Sequence, residues 1–207
     1  MAVLALVVAT VRAYSSDNAR PAALTSLCGF PLVVHAVRGL RESGVVDRIV
    51  VLARPSEVDD IGAVLPAGAA VVVGRPPLDV EPEVLLAHDV TRARTPVELV
   101  RRVVVAVRAG ADAVTPALPC SDTVKRVDSA GLVIDTPDRT GLRVLQTPRG
   151  WSANHAGPVL RMLDSAEPVV PVTDTMRVVP GHPDARDINS PFELAVAEMI
   201  GSAGVTG

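Results

Sequence analysis

Three short polar clusters in this chain combine residue types that can hold a phosphate: Thr10 to Arg20, His88 to Arg92, and Ser121 to Arg126. Arginine forks donate to oxyanions, and backbone N–H groups do so where glycine lets them come close. The first cluster contains Val11-Arg12-Ala13-Tyr14-Ser15-Ser16, at a place where a nucleotide-binding α/β protein usually puts glycines. No glycine occurs between Met1 and Cys28. Arg12, Arg20 and Arg75 are available as substitute charge, and Ser15, Ser16 and Asn18 as donors. The plainer reading of the same residues is a solvated polar loop. Ammonium chemistry has a single candidate, because Lys125 is the one lysine. Other chemistries find no footing. His35, His88, His155 and His182 lack zinc-ligand spacing. There is no Gly-x-Ser-x-Gly, and nothing marks a covalent nucleophile.

The clusters need elements to position them. Apolar runs at Val3–Ala9, Val84–Ala87 and Asp112–Leu118 read as strands, and each leads into one of the clusters. Arg48–Ala53, Ala69–Gly74, Leu142–Gln146 and Met176–Val179 read as further strands. Helical spacing runs from Pro31 to Glu42 and stops at Ser43-Gly44, and Ser56–Leu65 fits a short helix. Thr95-Pro96-Val97-Glu98 predicts a helix with Thr95 as N-cap, running to Arg108. Ser190-Pro191-Phe192-Glu193 predicts a last one through about Ile200. Thr123–Asp128 and Leu132–Thr136, joined by Ser129-Ala130-Gly131, predict a β-hairpin, while Gly74–Glu83 reads as a loop. Alternating strands and helices predict an α/β fold with a doubly wound, mostly parallel sheet. Ligands then sit at the carboxyl ends of the strands, where the clusters fall.

Composition agrees. The 207 residues are 48% hydrophobic but only 2% aromatic, so Val, Leu and Ala must build the core, as in buried parallel strands. A net charge of −3 without a basic stripe argues against a nucleic-acid partner. Cys28 and Cys120 form no CxxC pair and read as small buried hydrophobes. The amino-terminal apolar run is about ten residues long and lacks a positive n-region, which predicts a buried first strand rather than a signal peptide or membrane span. A soluble cytoplasmic protein is expected.

Several stretches together resemble the 2-C-methyl-D-erythritol 4-phosphate cytidylyltransferase family: ALTSLCGFPLVVHAVRGL, DRIVVLA, LLAHDVTRARTP, PALPCSDTVKRVD, TPDRTGLRVLQTPRGW and DINSPFELAVAEMI, in that order. The resemblance implies one nucleotidyltransferase-like domain over residues 1–207. A β-arm at about residues 121–147 would pair two subunits as a homodimer. It also implies attack of a sugar phosphate on the α-phosphorus of CTP, usually with Mg²⁺. Such chemistry is positioning and charge stabilisation, because the nucleophile is already an anion. Asp89 and Arg92 match the family's Asp-x-x-Arg, with Asp89 near the metal and sugar phosphate. Thr123 matches the arm threonine, and Arg139 the arginine that holds the methylerythritol phosphate across the dimer. Ala9, Thr10, Arg12 and Arg20 fall in the nucleotide-binding region. On their own, Asp89 and Arg92 also fit a strand-end ion pair, and Thr123 and Arg139 also fit residues that hold the arm.

The departures concern the cations. The family's Gly-rich opening is missing, and its first lysine falls on Ala22. Its second lysine falls on Asp187, an acid where a cation would face phosphate. Lys125 matches the arm's own lysine and covers neither role. No catalytic residue is therefore assigned. The expectation is a divergent member with lost or strongly reduced CTP-dependent activity. It would bind a sugar phosphate, or pair through the arm with an active homologue. The alternative is an active nucleotidyltransferase with a rebuilt phosphate loop, using Mg²⁺.

Overall fold

The computed structural model describes residues 2–10, 21–74, 76, 81–164, 168–173 and 175–203. Val11 to Arg20, including Arg12 and Arg20, lie outside the described residues, as do Arg75 and residues 77–80 of the Gly74–Glu83 loop.

The chain forms β1 (Val3–Val8), a small hairpin of β2 (Ser26–Leu27) and β3 (Phe30–Pro31), α1 (Leu32–Glu42), β4 (Arg48–Leu52), α2 (Val58–Val64) and β5 (Ala69–Val72). It continues through β6 (Val84–Asp89), α3 (Val97–Arg108), β7 (Ala113–Pro119), β8 (Arg126–Val127), β9 (Val133–Asp135) and β10 (Arg143–Leu145). It ends with β11 (Arg149–Ser152), α4 (Ala153–Met162), β12 (Arg177–Pro180) and α5 (Pro191–Ala203). The central sheet has the order β10-β7-β11-β6-β1-β4-β5, with β12 added to β7. Pairs β1–β4, β1–β6, β4–β5 and β7–β12 are parallel, so the sheet is mostly parallel as the alternation predicts. β10 and β11 run antiparallel.

Two apolar layers sandwich the sheet. Val3, Ala5 and Val7 face α1 and α3, while Leu4, Leu6 and Val8 face Trp151 and α4. The period-2 alternation of a strand buried on both faces explains why β1 reads as a continuous apolar run. Trp151 is the largest buried side chain and anchors the α4 side.

The sequence reading missed β11 and α4. β11 is RGWS, short and interrupted by Gly150, and α4 carries Pro158 within it. Thr95 does not cap α3, which begins after Pro96; its hydroxyl donates to the Arg92 carbonyl at 2.8 Å instead. Cys28 corrects the expectation of a buried thiol. It is exposed, with φ 49°, and Gly29 follows with φ 84°. A two-residue turn between β2 and β3 needs positive φ at both central positions, so the turn dictates this backbone and turns the thiol outward. Cys120 is half-buried.

Gly150 lets α3 close on the sheet. A Cβ there would lie 2.7 Å from Val103 Cγ1 and 3.1 Å from Val107 Cγ2. We expect Gly150→Ala to destabilise the protein by about 1–3 kcal/mol through overpacking. Urea denaturation reads this directly, and an unchanged midpoint would contradict the close packing.

Candidate active site

The strand order reverses at β1. The chain lays β4 and β5 on one side of it, then crosses back to place β6 on the other. In open α/β sheets the crevice at such a switch point, beyond the carboxyl ends of the strands, is where ligands bind. Register puts Asp89 beside Val8, so Ala9, Thr10, His88 and Asp89 share this end of the sheet.

Asp89 ends β6 and begins a tight turn. Its Oδ1 accepts from the Thr91 N–H at 3.0 Å and the Thr91 hydroxyl at 2.8 Å. Burial pushes its carboxyl pKa up, the Thr91 hydrogen bonds oppose this, and the nearby charge of Asp187 adds to the rise. Asp89 has no ion pair with Arg92 among the described residues; Arg92 Nη2 pairs with Asp187 Oδ2 at 3.3 Å. Arg92 also donates to the Ala185 carbonyl at 2.7 Å and the Leu145 carbonyl at 3.2 Å. The Thr91 hydroxyl contacts Asp187 Oδ1 as well as Asp89. Asp187 thus takes up the charge of Arg92.

His88 is fully buried beside them. The Asp89 N–H donates to Thr147 Oγ1 at 3.1 Å, and the same hydroxyl lies 3.0 Å from His88 Nδ1. Burial first, and the Arg92 charge second, push the His88 pKa down to about 3, against a backbone hydrogen bond at Arg92 that raises it. The imidazole is therefore neutral and structural at ordinary pH.

Thr10 is buried, and its hydroxyl donates to the Pro168 carbonyl at 2.7 Å. Its own carbonyl accepts from Arg54, which pairs with Glu57 at 2.8 Å. Ala22 is buried in a short turn at Ala22–Leu24. Sequence reasoning missed Arg149. It opens β11 in register with Ala87 and is buried, and Nη1 donates to the carbonyls of Val170 at 2.7 Å and Pro171 at 2.9 Å. The basic residue directly after Thr147-Pro148 was the signal that could have found it.

Thr123 and Arg139 stand apart from this cluster. Both are exposed on the arm, and Arg139 donates to the Ser121 carbonyl at 2.7 Å. β8 and β9 form their own two-stranded sheet, with the Asp128 carboxylate bonding the Ala130 and Leu132 N–H groups across the turn.

A doubly wound sheet with polar strand ends at its switch point and an outlying hairpin defines a nucleotidyltransferase-like α/β protein. The fold matches the crystal structure of 4-diphosphocytidyl-2C-methyl-D-erythritol synthase from Anaerococcus prevotii, with a TM-score of 0.75 at 20% identity, covering 97% of this chain and 98% of that one. It also matches 2-C-methyl-D-erythritol 4-phosphate cytidylyltransferase from Thermus thermophilus, with a TM-score of 0.68 at 23% identity, covering 98% and 100%. In sequence, the family model for 2-C-methyl-D-erythritol 4-phosphate cytidylyltransferase matches residues 3–202. The proteins of that description from Nocardia farcinica and Saccharopolyspora erythraea are 40% and 38% identical, covering 96% and 97% of this chain and 93% and 99% of theirs. The chain belongs to the 2-C-methyl-D-erythritol 4-phosphate cytidylyltransferase family, nucleotidyltransferases of isoprenoid biosynthesis.

Neutral, buried His88 makes stability depend on pH with a definite sign. Unfolded, it takes a proton near pH 6.5; folded, only near pH 3. Its contribution is complete above about pH 6.5 and is lost as pH falls toward 3. Asp89, raised by burial, acts oppositely: its contribution is lost as pH rises through its folded value. Between pH 7 and pH 4.5 the native protein should lose about 2–3 kcal/mol more than His88→Gln. Parallel losses in urea denaturation would remove His88 from the account.

Proposed function

We propose that this protein is a divergent cytidylyltransferase homologue that keeps the fold, the arm and sugar-phosphate binding but has lost most CTP-dependent turnover. The observation that carries this reading is the pairing of Arg92 with Asp187. At the position of the family's second lysine stands an anion, and that anion engages the arginine of the cluster. The first lysine position is Ala22, buried and uncharged. Losing one positioned transition-state donor costs about two to three orders of magnitude in rate, and here two cations are missing together.

In this reading Asp89 and Arg92 face the sugar phosphate from one subunit, and Thr123 and Arg139 from the arm of its partner. Ala9 and Thr10, with Arg12 and Arg20, border the nucleotide side. Asp89 is also the residue that would hold Mg²⁺. Its Oδ1 is bonded to Thr91 while Oδ2 has no hydrogen-bond partner among the described residues. Mg²⁺ is commonly held by one or two carboxylates together with substrate phosphates. Bound there, Mg²⁺ would neutralise phosphate charge.

The arm exposes Val127, Leu132, Val133 and Ile134, which supports pairing with a second copy or with an active homologue. Among the described residues no helix is long and apolar enough to cross a membrane. We place the protein in the cytoplasm, a reading supported by its two unpaired cysteines.

Pyrophosphate release from CTP, methylerythritol phosphate and Mg²⁺ should run at least about 100-fold below the Nocardia farcinica relative measured alongside. The double variant Ala22→Lys, Asp187→Lys should recover about tenfold of this. A wild-type rate within tenfold of the relative would overturn the reading in favour of an active enzyme with a rebuilt loop. Sedimentation should show a dimer, and Leu132→Glu with Ile134→Glu should give monomers. A wild-type monomer that dimerises only with an active homologue would instead mark the arm as a heterodimer surface.

A further inference from the structure

Arg149 is a buried cation without an ion pair among the described residues, and its residue surface is 9% exposed. Such a group is costly to bury unless its donors and its charge are answered. The protein answers half of it. Nη1 makes both of its hydrogen bonds, to the Val170 and Pro171 carbonyls. Nε is fully buried and has no partner among the described residues, and Nη2 makes no hydrogen bond there either. The unanswered atoms form the side-on edge of the guanidinium, whose two parallel N–H groups match two oxygens of a phosphate or carboxylate.

The surroundings point the same way. Arg149 lies opposite Ala87, at the end of the sheet where β6 finishes in Asp89. It shares a face with Trp151 and Val8, and strand alternation puts Thr10 and Asp89 on that face too. One segment crosses all of it: the Pro168 carbonyl takes the Thr10 hydroxyl, and two residues further on the chain takes Arg149. Val169 and Val172 of this segment are exposed, so it lies over the strand ends as a strap. Burial lowers the Arg149 pKa, the charge of Arg92 lowers it further, and Asp89 partly offsets both. Arg92 has Asp187 as its counter-ion; Arg149 has only the partial field of Asp89.

We propose that Arg149 is an anion ligand of the switch-point crevice, its Nε–Nη2 edge taking two oxygens of a substrate phosphate while the strap fixes its other edge. The choice of phosphate rests on the functional reading above. The free guanidinium edge does not. The phosphate belongs to the sugar phosphate or to the nucleotide, and the arms of the test tell these apart.

The decisive signal is the Nε–H proton of Arg149, assigned through its own backbone in labelled wild-type protein. Inorganic phosphate should move it downfield and saturate. The same titration with methylerythritol phosphate, and separately with CTP, identifies the source by which one moves it at lower concentration. Arg149→Lys keeps a charge that can hold the strap but loses the fork. It should bind phosphate about 10- to 100-fold more weakly, with far-UV circular dichroism unchanged. An Nε–H that none of the three ligands moves overturns the proposal and leaves Arg149 as a strap anchor. So does an Arg149→Lys protein that binds phosphate as tightly as wild type. The phosphate titration needs neither CTP nor turnover. It can succeed where the activity assay finds nothing, and fail where that assay finds a working enzyme.

Discussion

Arg92 is where the chain is tied together at the carboxyl end of its sheet. From the turn after β6 it reaches the Leu145 carbonyl at the end of β10, and Ala185 and Asp187 ahead of α5. Gln146 works beside it, donating to His182 and Ala185 carbonyls and accepting the His182 N–H. The Ile188 N–H closes the junction on the Thr91 carbonyl. Segments nearly a hundred residues apart meet on one guanidinium and one amide. A hydrogen bond to a charged group is worth about 1.5–3 kcal/mol, more than a neutral one. The chemical consequence follows from the structural one. Donors spent on protein carbonyls and on Asp187 leave Nε–H and one Nη1–H of Arg92 to face a phosphate.

The same junction controls the electrostatics of its neighbours. His88 lies buried behind it and stays neutral, so it adds no charge. Asp89 is half-buried, and the proximity of Asp187 disfavours its ionised form further. Thr91 has one hydroxyl proton to offer two carboxylates that both approach it, so one of the two contacts requires a proton from elsewhere. A raised carboxyl pKa at Asp89 fits that count. The strand end is thus a low-dielectric place in which charges are strongly coupled, where each further anion must be met by a cation.

Much of the architecture could be read from the chain because the signals are local. The β1 and β6 runs, the apolar spacing of α1, the Pro96-Val97-Glu98 start of α3, and the Asp128-to-Gly131 turn each carry their instructions within a dozen residues. Ser190 and Glu193 even form the reciprocal cap of α5, with the Glu193 carboxylate taking the Asn189 N–H and the Ser190 hydroxyl taking the Glu193 N–H. β11 was illegible for a physical reason. Its four residues contain a glycine required by α3 and an arginine required by the strap, and neither belongs to a strand's local preference. The Arg92–Asp187 pair joins positions 95 apart, so no periodicity could announce it. Asp89 and Arg92 were legible as a pair by proximity in sequence, yet the geometry gives Arg92 a different partner.

A lysine at position 187 would face Arg92 across the same gap, and like charges in a half-buried site repel unless a phosphate lies between them. Such a site is completed by its ligand. With aspartate there, Arg92 gains a counter-ion, and the carbonyls of residues 145 and 185 each take one of its N–H groups. Arg149 is the exception at this end of the sheet, a buried fork still short of two acceptors. Arg92 thus has its charge answered within the protein, whereas the charge of Arg149 is met only by the field of Asp89, and that difference is the ground on which Arg149 is proposed as the anion ligand.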